Sequence, residues 1–349
     1  MLKKKRVAVI GCGAVAYRWY FNGLMSSNYC EISHLVDNNQ ENLKKASLYC
    51  NVNQCFDSVD LFIEKAKEVD IVLVLTPHKT HYSIIKKLLE NNFNVYSEKP
   101  FAENSMEAKE LIELSKQKHL VFCSAPQVML SSRNKKTKDI IESGAIGDIV
   151  MVRASGSNMG PADRKDTNYD PEWFYNDGGS LSSLGIYTLA IVIYLFGLPN
   201  RVAAFSGISI PHRVVKYGPV AGKSFEVTAP DNEIAILDYS KNYVLFDGSY
   251  VIKNPCKHEL IIHGTKGTLY VGGFGGPESI VIEDESGRRE IGPNDDCHIL
   301  WNLSWGVDEM AKSMNSNQKA PTDASFSYNV IRVIEAIRQS SKNNSMILF

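Results

Sequence analysis

Arg6-Val7-Ala8-Val9-Ile10-Gly11-Cys12-Gly13-Ala14-Val15-Ala16 opens the chain with an apolar run that ends in a glycine turn. Read as strand, tight turn and helix start, it fits the pattern G-x-G-x-x-G/A. Gly11 turns the chain out of the strand. Gly13 leaves the backbone bare where an anion can approach a helix N-terminus, whose free N–H groups and dipole favour negative charge. Ala14 and Val15 begin that helix, and Ala16 is small enough to let it lie close to the strand. Asp37 closes the next predicted strand, 24 residues beyond Gly13, against the roughly 20 expected of a ribose-binding acid. A carboxylate there accepts from both ribose hydroxyls and repels a 2′-phosphate. Asn38, and Asn39 after it, bring no cation, so NAD is favoured over NADP. Glycine turns are common, and an Asp at a strand–helix junction can simply cap the helix. The combination carries the reading: a dinucleotide seat.

Outward from this turn, the first 125 residues alternate strand and helix patterns. Strands are expected at Arg6–Ile10, Glu31–Val36, Asp70–Leu75, Asn94–Ser97 and Leu120–Ala125. Helices are expected at Ala14–Ser26, after Asp37, at Lys79–Glu90 and at Ser105–Lys118. Asp70–Leu75 is apolar almost throughout, as suits a parallel strand buried on both faces. Such alternation implies βαβ units in a doubly wound parallel sheet, an α/β Rossmann domain over residues 1–125. Beyond Pro126 the rhythm changes. A helix over Arg133–Ser143 stops at Gly144. A strand at Ile149–Ser157 leads into a polar loop, Asn158–Glu172, of a length that is often functional. A helix follows over Gly179–Phe196. Arg201 to Ile291 reads mostly as strands, with turns at Asn242, Lys266-Gly267 and Ser286-Gly287. Helices near Trp301–Asn315 and Ala324–Ser341 close the chain. Residues 126–349 are thus expected to form an α+β domain with a mainly antiparallel sheet.

Composition narrows the function. The 349 residues carry 38 basic and 39 acidic side chains, a formal charge of -1, and 44% are hydrophobic. A nucleic-acid binder usually shows a basic excess, and none is present. No apolar run approaches the roughly 18 residues of a membrane span. Lys3, Lys4, Lys5 and Arg6 precede an apolar stretch, Ala14-Val15-Ala16 imitates a signal-peptidase site, and Val9-Ile10-Gly11-Cys12 imitates a lipoprotein box. The apolar core between them is four residues, Val7 to Ile10, below the roughly 7–15 of a secretory signal. Seven scattered cysteines without C-x-x-C spacing fit reduced thiols in the cytoplasm and no zinc site. The eight histidines form no i, i+4 pair, and no G-x-S-x-G elbow occurs, so neither a metal centre nor a nucleophilic triad is expected.

Several further stretches belong together: Glu98-Lys99-Pro100 just past a strand, Thr76-Pro77-His78-Lys79-Thr80-His81, Gly178-Gly179 opening a helix, Ser143-Gly144-Ala145-Ile146-Gly147-Asp148 and Gly264-Thr265-Lys266-Gly267-Thr268-Leu269. With the glycine turn they make essentially the whole chain resemble the glucose–fructose oxidoreductase / inositol dehydrogenase / MocA family (Gfo/Idh/MocA). The resemblance implies a second domain with a large open sheet whose flat face commonly makes the oligomer contact, in a homodimer or homotetramer. It implies hydride exchange between nicotinamide and a carbinol carbon, usually of a sugar or cyclitol. It places Lys99 beside the nicotinamide, with Glu98 and Pro100 in the same turn. It places Thr76, Pro77, His78 and His81 along the nicotinamide ribose, and Gln127 and Trp173 at the nicotinamide end. The residues themselves agree about Lys99. A lysine at the carboxyl end of a parallel strand stands where such sheets bind ligands. Burial would lower its pKa and make it a usable proton partner. A structural Lys–Glu pair is the bland alternative.

The chain also departs from the family. The usual second motif, G-G-x-x-x-D-x-G-x-H, reads here Gly178-Gly179-Ser180-Leu181-Ser182-Ser183-Leu184-Gly185-Ile186-Tyr187. Tyr187 stands for the His and Ser183 for the Asp, one helical turn apart and on one face. Tyr187 is a candidate general acid or base, given a cation such as Lys99 to lower its ordinary pKa near 10. Ser183 can bond a sugar hydroxyl but carries no charge. Equally, Tyr187 can be packing in a decayed site. The 158–176 loop offers Arg164, Tyr169 and Trp173 for sugar recognition, and Arg164, Lys165, His212 and Arg213 for a carboxylate or phosphate; the same residues also suit an ordinary solvated surface. Three functions fit: reversible oxidation of a secondary alcohol on a sugar, cyclitol or nucleotide-sugar; oxidation, elimination and reduction with a tightly held, recycled NAD; and a sugar-responsive regulator on a decayed dehydrogenase fold.

Overall fold

A computed structural model describes residues 3–255, 258–272, 280–291, 302–316 and 318–349. The chain divides into two units. One holds the described residues up to Leu130 together with 302–331, and the other holds those from Ser131 to 291 together with Arg332–Phe349.

The first unit is a six-stranded parallel sheet. Its strands are β1 (Lys5–Ile10), β2 (Cys30–Val36), β3 (Cys55–Phe56), β4 (Ile71–Val74), β5 (Val95–Ser97) and β6 (Phe122–Ser124), in the order β3-β2-β1-β4-β5-β6. The order reverses between β1 and β4, and the crevice at the carboxyl ends of such strands is where these sheets take ligands. Every side chain of β4 is buried, because helices cover both faces. Helices α1 (Phe21–Met25), α2 (Gln40–Cys50), α3 (Val59–Lys65), α4 (His81–Glu90) and α5 (Ser105–Gln117) connect the strands. Several are capped as their sequences demand. Asn39 accepts from the N–H groups of Glu41 and Asn42, Ser58 from Leu61, and Asn104 from Glu107, each satisfying donors the helix leaves open.

The second unit carries α6 (Ser132–Glu142), β7 (Ile149–Ser155), α7 (Ile186–Phe196), β8 (Arg201–Gly207), β9 (His212–Val214), β10 (Ser224–Glu226), β11 (Asn232–Asp238), β12 (Tyr243–Ser249), β13 (His258–Gly264), β14 (Gly267–Gly272), β15 (Ile280–Asp284) and β16 (Gly287–Ile291). After α8 (Trp305–Ser316) and α9 (Ala324–Asn343) comes β17 (Ile347–Leu348). A nine-stranded sheet runs β16-β15-β14-β13-β7-β12-β11-β8-β17, antiparallel everywhere except between β7 and β12. Alternation sets its two faces. Val152, Ala154, Leu237, Val244, Phe246, Leu260 and Ile262 are buried, whereas Ile234, Ile236, Leu245 and Phe205, the last 73% exposed, lie on the open face. The β9–β10 hairpin and the 158–176 loop share a small core of Ala162, Tyr175, Val215, Phe225, Val227 and Tyr250.

Three expectations change, and two short elements are added. The helix over Ala14–Ser26 begins as a π turn, Ala16–Tyr20, before α1. The short β3 and α3 carry too few residues to show a period. The helix over Gly179–Phe196 is interrupted: π turns at Phe174–Gly178 and Leu181–Gly185 flank Gly179, whose φ of 68° breaks it, and α7 starts only at Ile186. A single cut at 125/126 does not divide the chain. Leu303, Val307, Met310 and Ala311 join Tyr20, Phe21, Leu24 and Cys30 in one core, so α8 belongs with the first unit. Met310→Ala should therefore cost the first unit about 2–5 kcal/mol, read by urea unfolding of the N-terminal unit; an unchanged midpoint would contradict that packing.

Candidate active site

At Gly11 the chain leaves β1 with φ 95°. A Cβ there would stand 2.8 Å from the carbonyl carbon of Leu75 and 2.9 Å from its oxygen. No L side chain fits, so the turn requires glycine. Gly13 is bare for a different reason: a Cβ there would meet nothing within 4 Å. The space over its backbone is open, a cradle that a side chain would begin to fill. Ala14 and Val15 follow at the helix start, where backbone N–H groups lack intrahelical acceptors.

Asp37 is locked in place beside this turn. Its Oδ2 accepts the N–H of Cys12 at 2.7 Å, and its Oδ1 that of Asn39 at 2.8 Å. A carboxylate has about four acceptor sites, which leaves the capacity for two ribose hydroxyls. Asn38 is exposed next to it. The glycine turn and Asp37 thus hold one another, a link that the spacing alone does not reveal.

The Thr76–His81 loop folds on itself. Thr80 Oγ1 donates to Pro77 O at 2.8 Å and lies within hydrogen-bond distance, 2.9 Å, of the Thr76 hydroxyl. Pro77 is exposed and His78 half-buried. His81 corrects the expectation of a ligand-facing ring. It is buried, with Nδ1 2.8 Å from Pro100 O and Nε2 2.7 Å from Thr76 O. Both ring nitrogens face backbone carbonyls rather than open space, so His81 packs its loop against the turn of Glu98-Lys99-Pro100 from behind.

Lys99 follows β5 at its carboxyl end, with a cis bond to Pro100. Burial pushes its ammonium down to about 8, and the Glu98 carboxylate pulls the other way. Glu98 is itself buried. Its Oε1 accepts from the Tyr20 hydroxyl at 2.7 Å and its Oε2 from the Lys99 N–H at 2.9 Å. Gln127 donates from Nε2 to Leu303 O at 3.2 Å, while its buried Oε1 has no donor among the described residues. An N–H donor of a ligand would satisfy it.

In the second unit, Ser183 lies in the π turn Leu181–Gly185 and Tyr187 is the second residue of α7; both are half-buried. Gly178 is small because of Ser183: a Cβ at Gly178 would meet Ser183 Oγ at 2.5 Å and the Trp173 ring at 3.9 Å. The Ser183 hydroxyl also acts on the phenol of Tyr250, a fully buried group whose pKa burial drives far up. Tyr250 therefore stays a neutral hydrogen-bonding group beside Ser183, and motif spacing gave no sign of it. Trp173 is 44% exposed and lies against Phe174, with ring centroids 3.9 Å apart. Tyr169 packs on Phe174 at 5.6 Å. Arg164 donates from Nε to Asp166 at 2.9 Å. Arg213 corrects the anion-binding expectation. It is 4% exposed, pairs with Asp163 at 3.4 Å and Asp231 at 3.1 Å, and covers the Tyr175 ring, so its charge is spent inside the fold.

The segment carrying Ser183 is clamped by two residues that sequence reading missed. Buried Glu233 accepts the Leu181 N–H at 3.2 Å and the Ser206 hydroxyl at 3.1 Å, and pairs with Arg338 at 3.4 Å. Arg338 donates to Ser182 Oγ at 2.9 Å and to Gly178 O at 3.3 Å. Burial pushes the Glu233 carboxyl up, with Arg338 opposing. Among the described residues no group of His, Cys, Asp and Glu could hold a metal ion, and no helix is long and apolar enough to cross a membrane.

Two family models match the chain: the oxidoreductase family with NAD-binding Rossmann fold over residues 5–125, and the GFO/IDH/MocA C-terminal domain over residues 134–270. Among curated proteins it is 24% identical, over 63% of its length, to dTDP-3,4-didehydro-2,6-dideoxy-alpha-D-glucose 3-reductase of Streptomyces violaceoruber. It is 29% identical, also over 63% of its length, to the galactose/lactose metabolism regulatory protein GAL80 of Kluyveromyces lactis. The chain spans 61% and 52% of the lengths of these two relatives. Among solved structures, the WlbA dehydrogenase from Bordetella pertussis, in complex with NADH and UDP-GlcNAcA, has a similar fold: TM-score 0.80 at 21% identity, covering 99% of each chain. The glycine turn locked to Asp37, the turn of Glu98-Lys99-Pro100 and the matches to both halves agree: the chain belongs to the Gfo/Idh/MocA oxidoreductase family and carries its NAD-binding Rossmann domain.

Proposed function

We propose that this chain is an NAD-dependent oxidoreductase that exchanges hydride between nicotinamide and the secondary alcohol or ketone carbon of a sugar, cyclitol or nucleotide-sugar. The observation that carries the reading is Lys99: an amine at the carboxyl end of β5, brought by burial to about 8, in a unit whose glycine turn is built for a dinucleotide. At such a pKa the amine can exchange a proton near neutrality, where general acid–base catalysis is worth roughly 10²–10⁴-fold.

The chain's own residues fit the cofactor. The open space over Gly13 suits a diphosphate, Asp37 suits the adenosine ribose, and the orphaned Gln127 Oε1 suits a carboxamide N–H. Bound NAD would supply the hydride acceptor. Glu98, Pro100, Thr76, Pro77 and His78 would line its nicotinamide half, with His81 holding two of those segments together. The fixed negative charge of Asp37, next to neutral Asn38, favours NAD over NADP. Lys99 or Tyr187 takes the hydroxyl proton. Ser183, Trp173, Arg164 and Tyr169 are the proposed sugar contacts, and Trp173 is also proposed for the nicotinamide end. The likeness to a dTDP-sugar reductase and to a dehydrogenase solved with UDP-GlcNAcA supports a sugar or nucleotide-sugar substrate.

The open sheet face is the proposed contact of a homodimer or homotetramer. It presents Phe205, Ile234, Ile236 and Leu245 to solvent, a patch of the kind that marks interaction sites. Ile236→Lys should shift the sedimentation of the oligomer towards monomer; an unmoved profile would exclude this face. Free Cys12, Cys30, Cys50, Cys55 and Cys123 suit the cytoplasm.

The catalytic test is direct. Purified protein with NAD+ and a panel of sugars, cyclitols and nucleotide-sugars should raise absorbance at the reduced-nicotinamide band. Lys99→Ala and Tyr187→Phe should each slow that reaction by at least about 100-fold; wild-type rates in either variant would remove that residue from the mechanism. The likeness to GAL80, with the uncharged Ser183, supports one second reading, a sugar-responsive regulator. NAD+ and sugar binding without turnover of any panel member would favour it.

A further inference from the structure

The β9–β10 hairpin runs beside the 158–176 loop and holds it at several points. Asp163 pairs with Arg213 at 3.4 Å and with Lys216 at 2.6 Å, and Ala162 O accepts the Lys216 N–H at 2.9 Å. Gly218 passes so close to Thr167 that a Cβ there would collide with the Thr167 carbonyl. Further along, Lys223 Nζ stands 2.6 Å from Glu172 Oε2 and also pairs with Asp170 Oδ2. Just past β10, the N–H groups of Thr228 and Ala229 donate to Tyr175 O at 3.2 and 2.8 Å. The start, middle and end of the loop are thus fastened to one neighbouring element.

Lys223 grips a particular stretch. Its two carboxylate partners flank Pro171, which is buried and whose ring fixes φ. They lie between Tyr169 and Trp173 in the chain. Asp170 Oδ1 accepts the Glu172 N–H at 3.1 Å, Glu172 Oε1 accepts from Asn176 Nδ2 at 3.2 Å, and Pro171 O accepts the Phe174 N–H at 3.1 Å. The rings of Tyr169 and Trp173 both pack against Phe174. The lysine is itself fixed at its backbone: its N–H donates to Val220 O at 3.0 Å, and its carbonyl accepts the Val215 N–H at 2.9 Å. A single exposed ion pair is worth little. One ammonium shared by two carboxylates on either side of a proline does more, because it restricts the backbone between them. We propose that Lys223 is a positioning residue for the sugar: by tying Asp170 to Glu172 it fixes the stretch that carries Tyr169 and Trp173, and so sets sugar affinity. It acts through the loop and not on the reacting atoms. This rests on, and deepens, the reading of those two rings as sugar contacts.

Lys223→Met keeps the stem and removes the charge, whereas Lys223→Arg keeps the charge. Both are compared with wild type in the full chain. Without substrate, hydrogen exchange read by mass spectrometry should be about threefold or more faster in Lys223→Met over the peptide that holds the Glu172 and Phe174 amides. With the panel sugar that turns over best, its KM should rise about threefold or more in Lys223→Met, while kcat and the KM for NAD+ stay within about twofold, the pattern of lost substrate binding alone. Lys223→Arg should stay near wild type in both measurements. Unchanged exchange in Lys223→Met, or faster exchange with an unmoved sugar KM, overturns the proposal. So does a fall in kcat with a rise in the KM for NAD+, which marks general damage, or a loss in Lys223→Arg equal to that in Lys223→Met. If Lys223→Met does not fold, Asp170→Asn with Glu172→Gln removes the same pairs and is judged by the same outcomes. A chain that turns over no panel member loses the proposed reaction. Calorimetric sugar affinity then replaces KM, and equal affinities in wild type and Lys223→Met, or no sugar binding, overturn the inference. Turnover with an unmoved sugar KM loses only the inference.

Discussion

At Gly11 the backbone passes so close to Leu75 that a single methyl group would collide with its carbonyl. Everything assigned to the first unit depends on that approach. It lets the chain leave β1, reverse and present Gly13 with open space above it. It brings the Cys12 N–H to Asp37, so the residue that would read the ribose is fixed by the turn that would seat the diphosphate. It starts the helix whose π turn delivers Tyr20 to Glu98, and through Glu98 to Lys99. A local steric constraint on one residue is thus linked, by hydrogen bonds of ordinary length, to the backbone of Lys99.

The Rossmann unit was legible because its determinants are local. Strands and helices of ordinary length carry their own period, and the motif residues lie within a few positions of each other. The open sheet of the second unit was legible through alternation and its turn residues, and the family resemblance supplied its size. What the sequence hid depends on contacts between distant residues. Tyr20 and Glu98 are 78 positions apart, and Glu233 and Arg338 are 105 apart; neither pair has a spacing that announces it. The π turns escaped because hydrogen-bond register inside a helix leaves no trace in composition. Helix α8 was misassigned because an amphipathic pattern says which face is buried, not against which core.

Two side chains show how residue type misleads without surroundings. His81 stands in a loop of apparent ligand contacts, yet its ring is turned inward onto two carbonyl groups. Arg213 looks like a free cation in sequence, yet two carboxylates and a tyrosine ring enclose it. In both cases burial converts a candidate for recognition into a strut. Ser183 went the other way. Its loss of charge relative to the usual motif suggested decay, but Gly178 leaves room for it, Tyr250 lies beside it, and Glu233 and Arg338 clamp the segment that holds it.

The central claim is that one unit seats a dinucleotide with its reactive end at Lys99. A crystal structure of the full chain grown with NAD+ tests it most directly. The account predicts a diphosphate over Gly13, ribose hydroxyls on Asp37 and the Lys99 amine within hydrogen-bonding reach of the space beside the nicotinamide. A nicotinamide ring seated away from Lys99, or crystals that take up no cofactor at millimolar NAD+, would contradict it.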